Sequence, residues 1–404
     1  MVSLSQLLAV LLSTSLFLFF LRKWHLSHSP ESQKRLPPSP SKLPVIGNLH
    51  QLVSSPLRSL LSLSRRYGPL TLLHFGKFPF IIASSAEAAR EIMKTQDLIF
   101  SNRPQLSIPG GLFYNNRDVV FAPYGEYWRQ IRSICVLHLL SNKRVLSYRR
   151  VREEETSIMV EKIRRVALGK KYGGGSDFKE SLAEIGALMW VVPLWELIPC
   201  LSWTRRFTSV DKRIARVVKG IDEFLEVVIQ EHRVRDRRGS DGSELDFVDI
   251  LLDLQRENGS LSPIEDFTIK AIDMFSAGTG TTVTSLKWAV VELIRNPTTM
   301  KILQNEVREV AGSKDDIEEQ DIEKMPYLKV VLKESLRLHP PNEILVARES
   351  TQDTKLLGYD IASGIRVMVN VWAISRDPSL WKNPEEFRPD RFLETSIYFR
   401  DCVV

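Results

Sequence analysis

The chain has 404 residues, is 43% apolar and 26% charged, and carries a formal net charge of +6 at pH 7. That length can bury a large core, and the ordinary composition excludes disordered, collagen-like and disulfide-rich classes of protein. Three cysteines lie far apart, at Cys135, Cys200 and Cys402, so neither a disulfide framework nor a C-x-x-C metal site is indicated, which suits a reducing compartment. Basic residues cluster at 143–152 and 233–238. Solvated helix faces account for these basic clusters. The alternative is a docking face for an acidic partner or an anionic membrane. No motif in the sequence indicates binding to nucleic acid.

The N-terminal segment is uncharged from residue 2 to residue 21 and rich in leucine and phenylalanine. It is long enough to cross a bilayer as a helix. Arg22 and Lys23 follow at once, and basic residues on that side predict that the rest of the chain stays in the cytoplasm. A cleaved signal peptide is the alternative, but a basic start and a small-x-small cleavage site are both missing. We therefore predict a membrane anchor over residues 1–25.

A proline-rich linker is predicted over 26–44, and one domain over 45–404. Residues 70–83 predict two apolar strands around a Gly-Lys turn. Apolar residues at helical spacing predict helices at 85–95, 126–140, 143–165, 205–235, 263–295, 297–311 and 327–338. Short β-like runs occur at 344–348, 355–361 and 366–372. Long helices with a minor β component predict an α+β domain that is mainly α.

One helix carries Glu334 and Arg337 within the run KESLRLHPP. Residues three apart share a helix face and can pair. The same spacing occurs elsewhere, for example at Glu292 and Arg295, where an exposed pair is worth little. The context of Glu334 and Arg337 is different, because two prolines stop the helix and the run FRPDRF follows fifty residues later.

A second helix contains AIDMFSAGTGTTVT at 271–284. A dinucleotide-binding loop is excluded, because no strand precedes the Gly-x-Gly and Val283 occupies the third glycine position. The hydroxyl of Thr281 can bond to a carbonyl of its own helix. The alternative is a pair of glycines that allow close helix packing.

Trp128 and Arg132 are four residues apart in EYWRQIRSI, so they lie on one helix face. The pair combines an indole N–H donor with a guanidinium. The alternative is an interfacial tryptophan beside a solvated arginine. No HExxH motif or histidine-rich pair appears among the seven histidines, so no protein-ligated metal site is predicted.

Three runs, KESLRLHPP at 333–341, NVWAISRDP at 370–378 and PEEFRPDRF at 384–392, resemble the second half of a cytochrome P450 in the order used by that family. PVIGNLHQL at 44–52, together with the proline hinge before it, resembles the plant A-type microsomal members. The resemblance implies a cytochrome P450-like fold. It also implies that Glu334, Arg337 and the arginine of the last run, Arg391, form a buried structural triad.

The resemblance also implies roles toward a haem cofactor. Thr281 takes the position of the threonine that relays protons, while Gly280 stands where the family carries an acid. Trp128, Arg132 and Arg348 match positions that hold the haem propionates. The implied function is that of a haem-thiolate monooxygenase of secondary metabolism. Such an enzyme takes electrons from an NADPH-dependent reductase and inserts one oxygen atom from O₂ into a small lipophilic metabolite. The implied location is the endoplasmic reticulum membrane, with the domain facing the cytosol.

The sequence departs from the family in two places. Two segments that other members separate are joined around 161–169, and the run after FRPDRF contains no glycine-rich cysteine loop. Cys402 is the one cysteine near that position, and no glycine surrounds it. We therefore expect a chain truncated before the haem-binding loop, which does not turn over. The alternative to an enzyme is a non-catalytic membrane-anchored remnant, a splice variant or an incorrect gene model. Substrate identity is expected to depend on variable loops such as 100–120 and 195–215.

Overall fold

A computed structural model describes residues 14, 35–52, 55–167, 176–189, 191–234, 247–258, 274–314 and 317–394. The helices are α1 (Pro56–Tyr67), α2 (Ala86–Arg90), α3 (Ser107–Leu112), α4 (Glu126–Ile134), α5 (Asn142–Ser147), α6 (Arg149–Ala167), α7 (Ser176–Met189), α8 (Leu194–Leu197), α9 (Val210–Val234), α10 (Phe247–Asn258), α11 (Met274–Arg295), α12 (Pro297–Ala311), α13 (Pro326–Leu338), α14 (Val371–Ile374) and α15 (Arg391–Glu394). The strands are β1 (Leu70–Phe75), β2 (Phe78–Ala83), β3 (Arg348–Glu349), β4 (Thr354–Leu356), β5 (Tyr359–Ile361) and β6 (Arg366–Val369). Helical turns of other types occur at Leu49–Gln51, Glu91–Thr95, Cys135–Leu139, Pro199–Phe207 and Glu319–Lys324.

The main sheet has the order β1-β2-β6-β3. β1 and β2 form the predicted antiparallel hairpin, and β6 then pairs with β2 in parallel, with Phe80 opposite Arg366. The turn requires a glycine at Gly76, where φ is +59° and a Cβ atom would lie 1.9 Å from the carbonyl oxygen of Leu197. That close approach joins the hairpin tip to the end of α8.

The second half of the chain corrects two predicted β runs. The run 355–361 is a hairpin of β4 and β5 and not one strand, because the chain turns at Leu357 and Gly358, both with positive φ. The run 366–372 ends as a strand at Val369. Asn370 then begins α14, since its side-chain oxygen accepts a hydrogen bond from the backbone N–H of Ala373 at 3.0 Å, a helix N-cap.

Several helix boundaries also differ from the prediction. The predicted 143–165 helix is divided into α5 and α6, and the predicted 205–235 helix begins only at Val210, because a 3-10 helix begun by Pro199 precedes it. The predicted 126–140 helix is α4 followed by a π-helical turn. The first part of the predicted 263–295 helix lies outside the described residues, which begin again at Met274.

The largest apolar core packs the sheet against α13. Tyr327, Val330 and Val331 of α13 are buried in it together with Val367 and Trp381. Apolar residues at helical spacing therefore direct one face of α13 inward, and the same face carries Glu334 and Arg337. The core thus fixes the position of the triad residues.

None of the helices that the structure describes is long and apolar enough to cross a membrane. The predicted anchor over residues 1–25 lies outside the described part of the chain, apart from Thr14.

Candidate functional site

Glu334, Arg337 and Arg391 are in direct contact and buried. Arg337 donates two hydrogen bonds to the Glu334 carboxylate, from Nε to Oε2 at 2.7 Å and from Nη2 to Oε1 at 2.8 Å. Arg391 donates from Nε to Oε1 of the same carboxylate at 3.1 Å. One carboxylate therefore serves two guanidinium groups.

Backbone carbonyls accept most of the remaining donors of these arginines. Arg337 donates to the carbonyls of Ser375, Pro384 and Glu386 at 2.6, 2.8 and 3.1 Å. Burial lowers the pKa of Arg391, and the charge of Glu334 opposes that effect. A buried charge is tolerated where its donors are satisfied in this way. The network therefore fastens the segment 375–391 to α13.

Arg376 is a further buried arginine, and its role was not predicted although its motif, WAISRDP, was recognised. It donates to the carbonyl of Leu338, the last residue of α13, at 2.7 Å and to Glu385 at 3.2 Å. Its guanidinium lies 4.5 Å from the centre of the Trp372 ring. Arg376 thus caps the C-terminal end of α13 with a positive charge, which the helix dipole favours.

A cleft of about 590 Å³ lies next to this network, lined by Glu292, His339, Arg376 and Arg388 among others. Small-molecule pockets are mostly apolar with few polar groups. The mixed charges of this cleft do not suit a lipophilic substrate.

His339 connects α13 with α11 at the edge of this cleft. Its Nε2 lies 2.9 Å from Glu292 Oε1, and its ring stacks on Trp288 at 3.8 Å. Burial lowers the pKa of His339 below 6.5; Glu292 opposes this shift, while Arg376 and Arg295 add to it.

We expect the free energy of unfolding to fall as pH drops below about 6.5, because the unfolded chain then binds a proton that the folded His339 resists. Urea unfolding at several pH values measures this effect. His339→Asn should remove that part of the slope. An unchanged slope in the variant would assign the pH dependence to other groups.

Thr281 lies in α11, and its hydroxyl donates to the carbonyl of Ala277 at 2.6 Å. A Cβ atom built on Gly278 or Gly280 would meet nothing within 4 Å among the described residues. The interpretation of these glycines as a helix-packing pair is therefore not supported there. No described residue fills the space beside Gly280, next to the Thr281 position.

Trp128 and Arg132 share one face of α4. The Trp128 indole N–H donates to the carbonyl of Val119 at 2.9 Å. The Arg132 guanidinium lies 5.0 Å from the centre of the Trp128 ring and is exposed. The two side chains are thus adjacent, with the indole donor already bound to the protein backbone.

Arg348 has a neighbour that sequence reasoning missed, Arg103. Arg348 donates to Asp97 at 2.7 Å and to the Phe100 carbonyl at 3.3 Å, and Arg103 donates to the carbonyls of Val346 and Ala347, each at 3.1 Å. Burial lowers the pKa of Arg103 to about 10; the positive charge of Arg348 adds to this, and nearby aspartates oppose it. No local pattern in the sequence could reveal this pair, since 245 residues separate its members.

Comparisons with known proteins identify the family. The family model described as Cytochrome P450 matches residues 37–185 and 165–401. Cytochrome P450 71A6 of Nepeta racemosa is 61% identical over 98% of this chain and 85% of its own length, and (+)-menthofuran synthase of Mentha piperita is 50% identical over 97% and 84%. A solved zebra fish cytochrome P450 with progesterone has a TM-score of 0.68 and 25% identity over 84% of this chain and 83% of that chain.

The chain therefore belongs to the cytochrome P450 family, as the sequence motifs predicted. Its relatives place it with the plant A-type members. The family consists of haem-dependent monooxygenases, so haem is the implied cofactor. The two matched stretches overlap at residues 165–185. The overlap includes part of the region around 161–169, where the sequence was predicted to join two segments that other members of the family separate.

Among the described residues, two arginines have the charge and hydrogen-bond donors that suit the carboxylates of a haem. Arg103 and Arg348 bring two positive charges together in a half-buried place. Asp97 already offsets part of their repulsion, and a further pair of carboxylates would offset more of it. Two of the three cysteines are described. Cys135 is buried in an apolar cluster with Ile131 and Leu139, and Cys200 is exposed. Cys402 lies outside the described residues.

Proposed function

We propose that this chain is a haem-thiolate monooxygenase that inserts one oxygen atom from O₂ into a small lipophilic metabolite, with electrons from an NADPH-dependent reductase. The observation that carries the proposal is the pair of half-buried arginines, Arg103 and Arg348, in a cytochrome P450 fold whose Glu334 network is closed. Plant relatives such as (+)-menthofuran synthase support a substrate from secondary metabolism.

The haem, when bound, supplies an iron centre that activates O₂. Arg103 and Arg348 would hold its propionates by charge-assisted hydrogen bonds. Arg132 would add a positive charge from α4. The Trp128 ring, which the Arg132 guanidinium contacts, would hold that guanidinium in position. The Thr281 hydroxyl, which donates to Ala277, keeps its oxygen lone pairs for accepting a proton. Because Gly280 has no carboxylate, water in the open space beside it would bring that proton.

The experiment that tests this function uses the chain with residues after Leu393 replaced by the matching C-terminal part of the 61% identical relative. This polypeptide, combined with a plant reductase and NADPH, should convert terpenoid or other lipophilic test substrates to products heavier by one oxygen atom. Two results would contradict the proposal. One is product formation without consumption of NADPH, and the other is the absence of oxygenated product from a correctly haem-loaded polypeptide with all of these substrates.

A second candidate is the non-catalytic membrane-anchored remnant. On this account any role depends on binding a partner or a substrate.

We propose an anchor over 1–25, a linker over 26–44 and a single domain over 45–404, held at the endoplasmic reticulum membrane and facing the cytosol. Exposed aromatic side chains support contact of this domain with the bilayer. Trp203 and Phe207 are 60% and 79% exposed on the 3-10 helix that also carries Arg205 and Arg206. Aromatic and basic side chains together favour the interface of a membrane.

We expect removal of residues 1–25 to leave weak, salt-sensitive binding to anionic vesicles, which Trp203→Ser with Phe207→Ser abolishes. Flotation of the protein with vesicles measures it. The control is Leu98→Ser with Leu146→Ser, two other residues that are each 66% exposed. Equal loss in both double variants would contradict a specific membrane face.

A further inference from the structure

Two segments that contain the predicted substrate-determining loops contact each other at three points. The backbone N–H of Ser107, at the start of α3, donates to Glu196 Oε2 at 3.1 Å. A Cβ atom on Gly111 would lie 3.0 Å from Ile214 Cγ2. Further on, the Tyr114 hydroxyl donates to Asp222 Oδ1 at 2.8 Å. The contacts form a seam that joins residues 107–114 to α8 and α9.

Apolar packing lies beneath these three contacts. Ile108 and Leu112 of α3 are buried in one cluster with Val210, Ile214 and Val217 of α9. Because α3 has only six residues, it has little stability of its own. Its position therefore depends on this packing and on the polar contacts at either end.

The chain that leaves α3 is strained. Tyr114, Asn115 and Asn116 are consecutive non-glycine residues in the left-handed region, with φ of +47°, +60° and +58°. Asparagine tolerates this conformation, whereas for tyrosine it is unfavourable. Strained residues persist only where their surroundings hold them. Asn116 is held by a hydrogen bond from its Nδ2 to Gln105 Oε1 at 3.0 Å, and Tyr114 by its bond to Asp222.

We propose that the Tyr114–Asp222 hydrogen bond is a latch that keeps residues 107–116 closed against α9. Strain in the left-handed turn opposes the latch, so that loss of one hydrogen bond shifts the segment toward an open form. Opening separates the two substrate-determining segments and exposes the interior of the fold between them. Tyr114 is thus a positioning residue, and its part in admitting a lipophilic substrate rests on the proposed monooxygenase function.

Amide hydrogen exchange of the full chain, followed by mass spectrometry, tests the latch. Tyr114→Phe keeps the ring and removes the donor, and we expect exchange in 107–116 to become about tenfold faster, the effect of one hydrogen bond of ordinary strength. Asp222→Asn retains an acceptor oxygen and should exchange like the unchanged chain. Asp222→Ala should match Tyr114→Phe, and the two together should give no further increase.

The matched control is Tyr127→Phe, which removes a hydroxyl bonded to the Arg117 carbonyl at 2.9 Å. It should leave exchange in 107–116 and in the facing part of α9 unchanged. Unaltered exchange in Tyr114→Phe, or a uniform increase over the whole chain, would overturn the latch. So would additive effects of Tyr114→Phe and Asp222→Ala. Because this measurement needs neither haem nor substrate, its failure is distinct from failure of the proposed function.

Discussion

Glu334→Ala is expected to lower the free energy of unfolding by about 3–5 kcal/mol, the usual effect of removing one partner of a buried ion pair. Arg337 and Arg391 would both lose their carboxylate while remaining buried. The backbone N–H of Arg388, which donates to Glu334 Oε1 at 2.8 Å, would lose its acceptor too. A domain is typically stable by only about 5–15 kcal/mol, so the variant should accumulate poorly in cells.

Urea unfolding and the yield of soluble protein measure this effect. The matched control is Glu223→Ala, which removes the carboxylate of an exposed pair with Lys219 at 3.7 Å and should change stability by less than about 1 kcal/mol. Equal effects of the two substitutions would show that the buried network does not hold the segment 375–391 in place.

Arg103→Ala is expected to weaken haem binding by about ten- to a hundredfold, since hydrogen bonds to charged groups contribute roughly 1.5–3 kcal/mol. The reason is that Arg103 and Arg348 place two positive charges near each other in a half-buried place, where Asp97 offsets only part of their repulsion and a propionate would offset more. Arg103→Lys keeps the charge but has fewer donors, so its loss should be smaller.

Haem titration of the polypeptide completed with the relative's C-terminal part measures the affinity. Arg205→Ala is the control, because Arg205 is an exposed arginine paired with Asp211 at 3.1 Å. Unchanged affinity in Arg103→Ala, with normal folding, would remove Arg103 from the haem-binding residues.

The order of the motifs in the sequence predicted the family and the contacts of Glu334. The three-residue spacing of a glutamate and an arginine on a helix could not have predicted those contacts by itself. Glu292 and Arg295 have the same spacing as Glu334 and Arg337. In the structure, Glu292 is buried against His339. Arg295 stays exposed, with its Nη1 3.6 Å from Glu292 Oε1. The difference lies in the carbonyls that surround Arg337, which come from a segment about forty residues away.

The residues proposed to hold haem were less predictable, because their partners lie in irregular segments. Trp128 was expected to offer its N–H to a propionate, yet the carbonyl of Val119, nine residues earlier, accepts it. Arg103 was missed because its significance arises only from the proximity of Arg348. Likewise, the strand predicted over 366–372 ends early because the side chain of Asn370 caps a helix, and an apolar run conceals such a cap.

The carbon monoxide difference spectrum after reduction with dithionite tests the central claim most directly. Two membrane-expressed polypeptides are compared with haem supplied: the 404-residue chain, and the chain completed after Leu393 with the relative's C-terminal part. We predict the red-shifted Soret band of thiolate-ligated haem in the completed polypeptide. A folded, completed polypeptide without that band would contradict the haem-thiolate function, and the band in the 404-residue chain would show that one of its own cysteines reaches the iron.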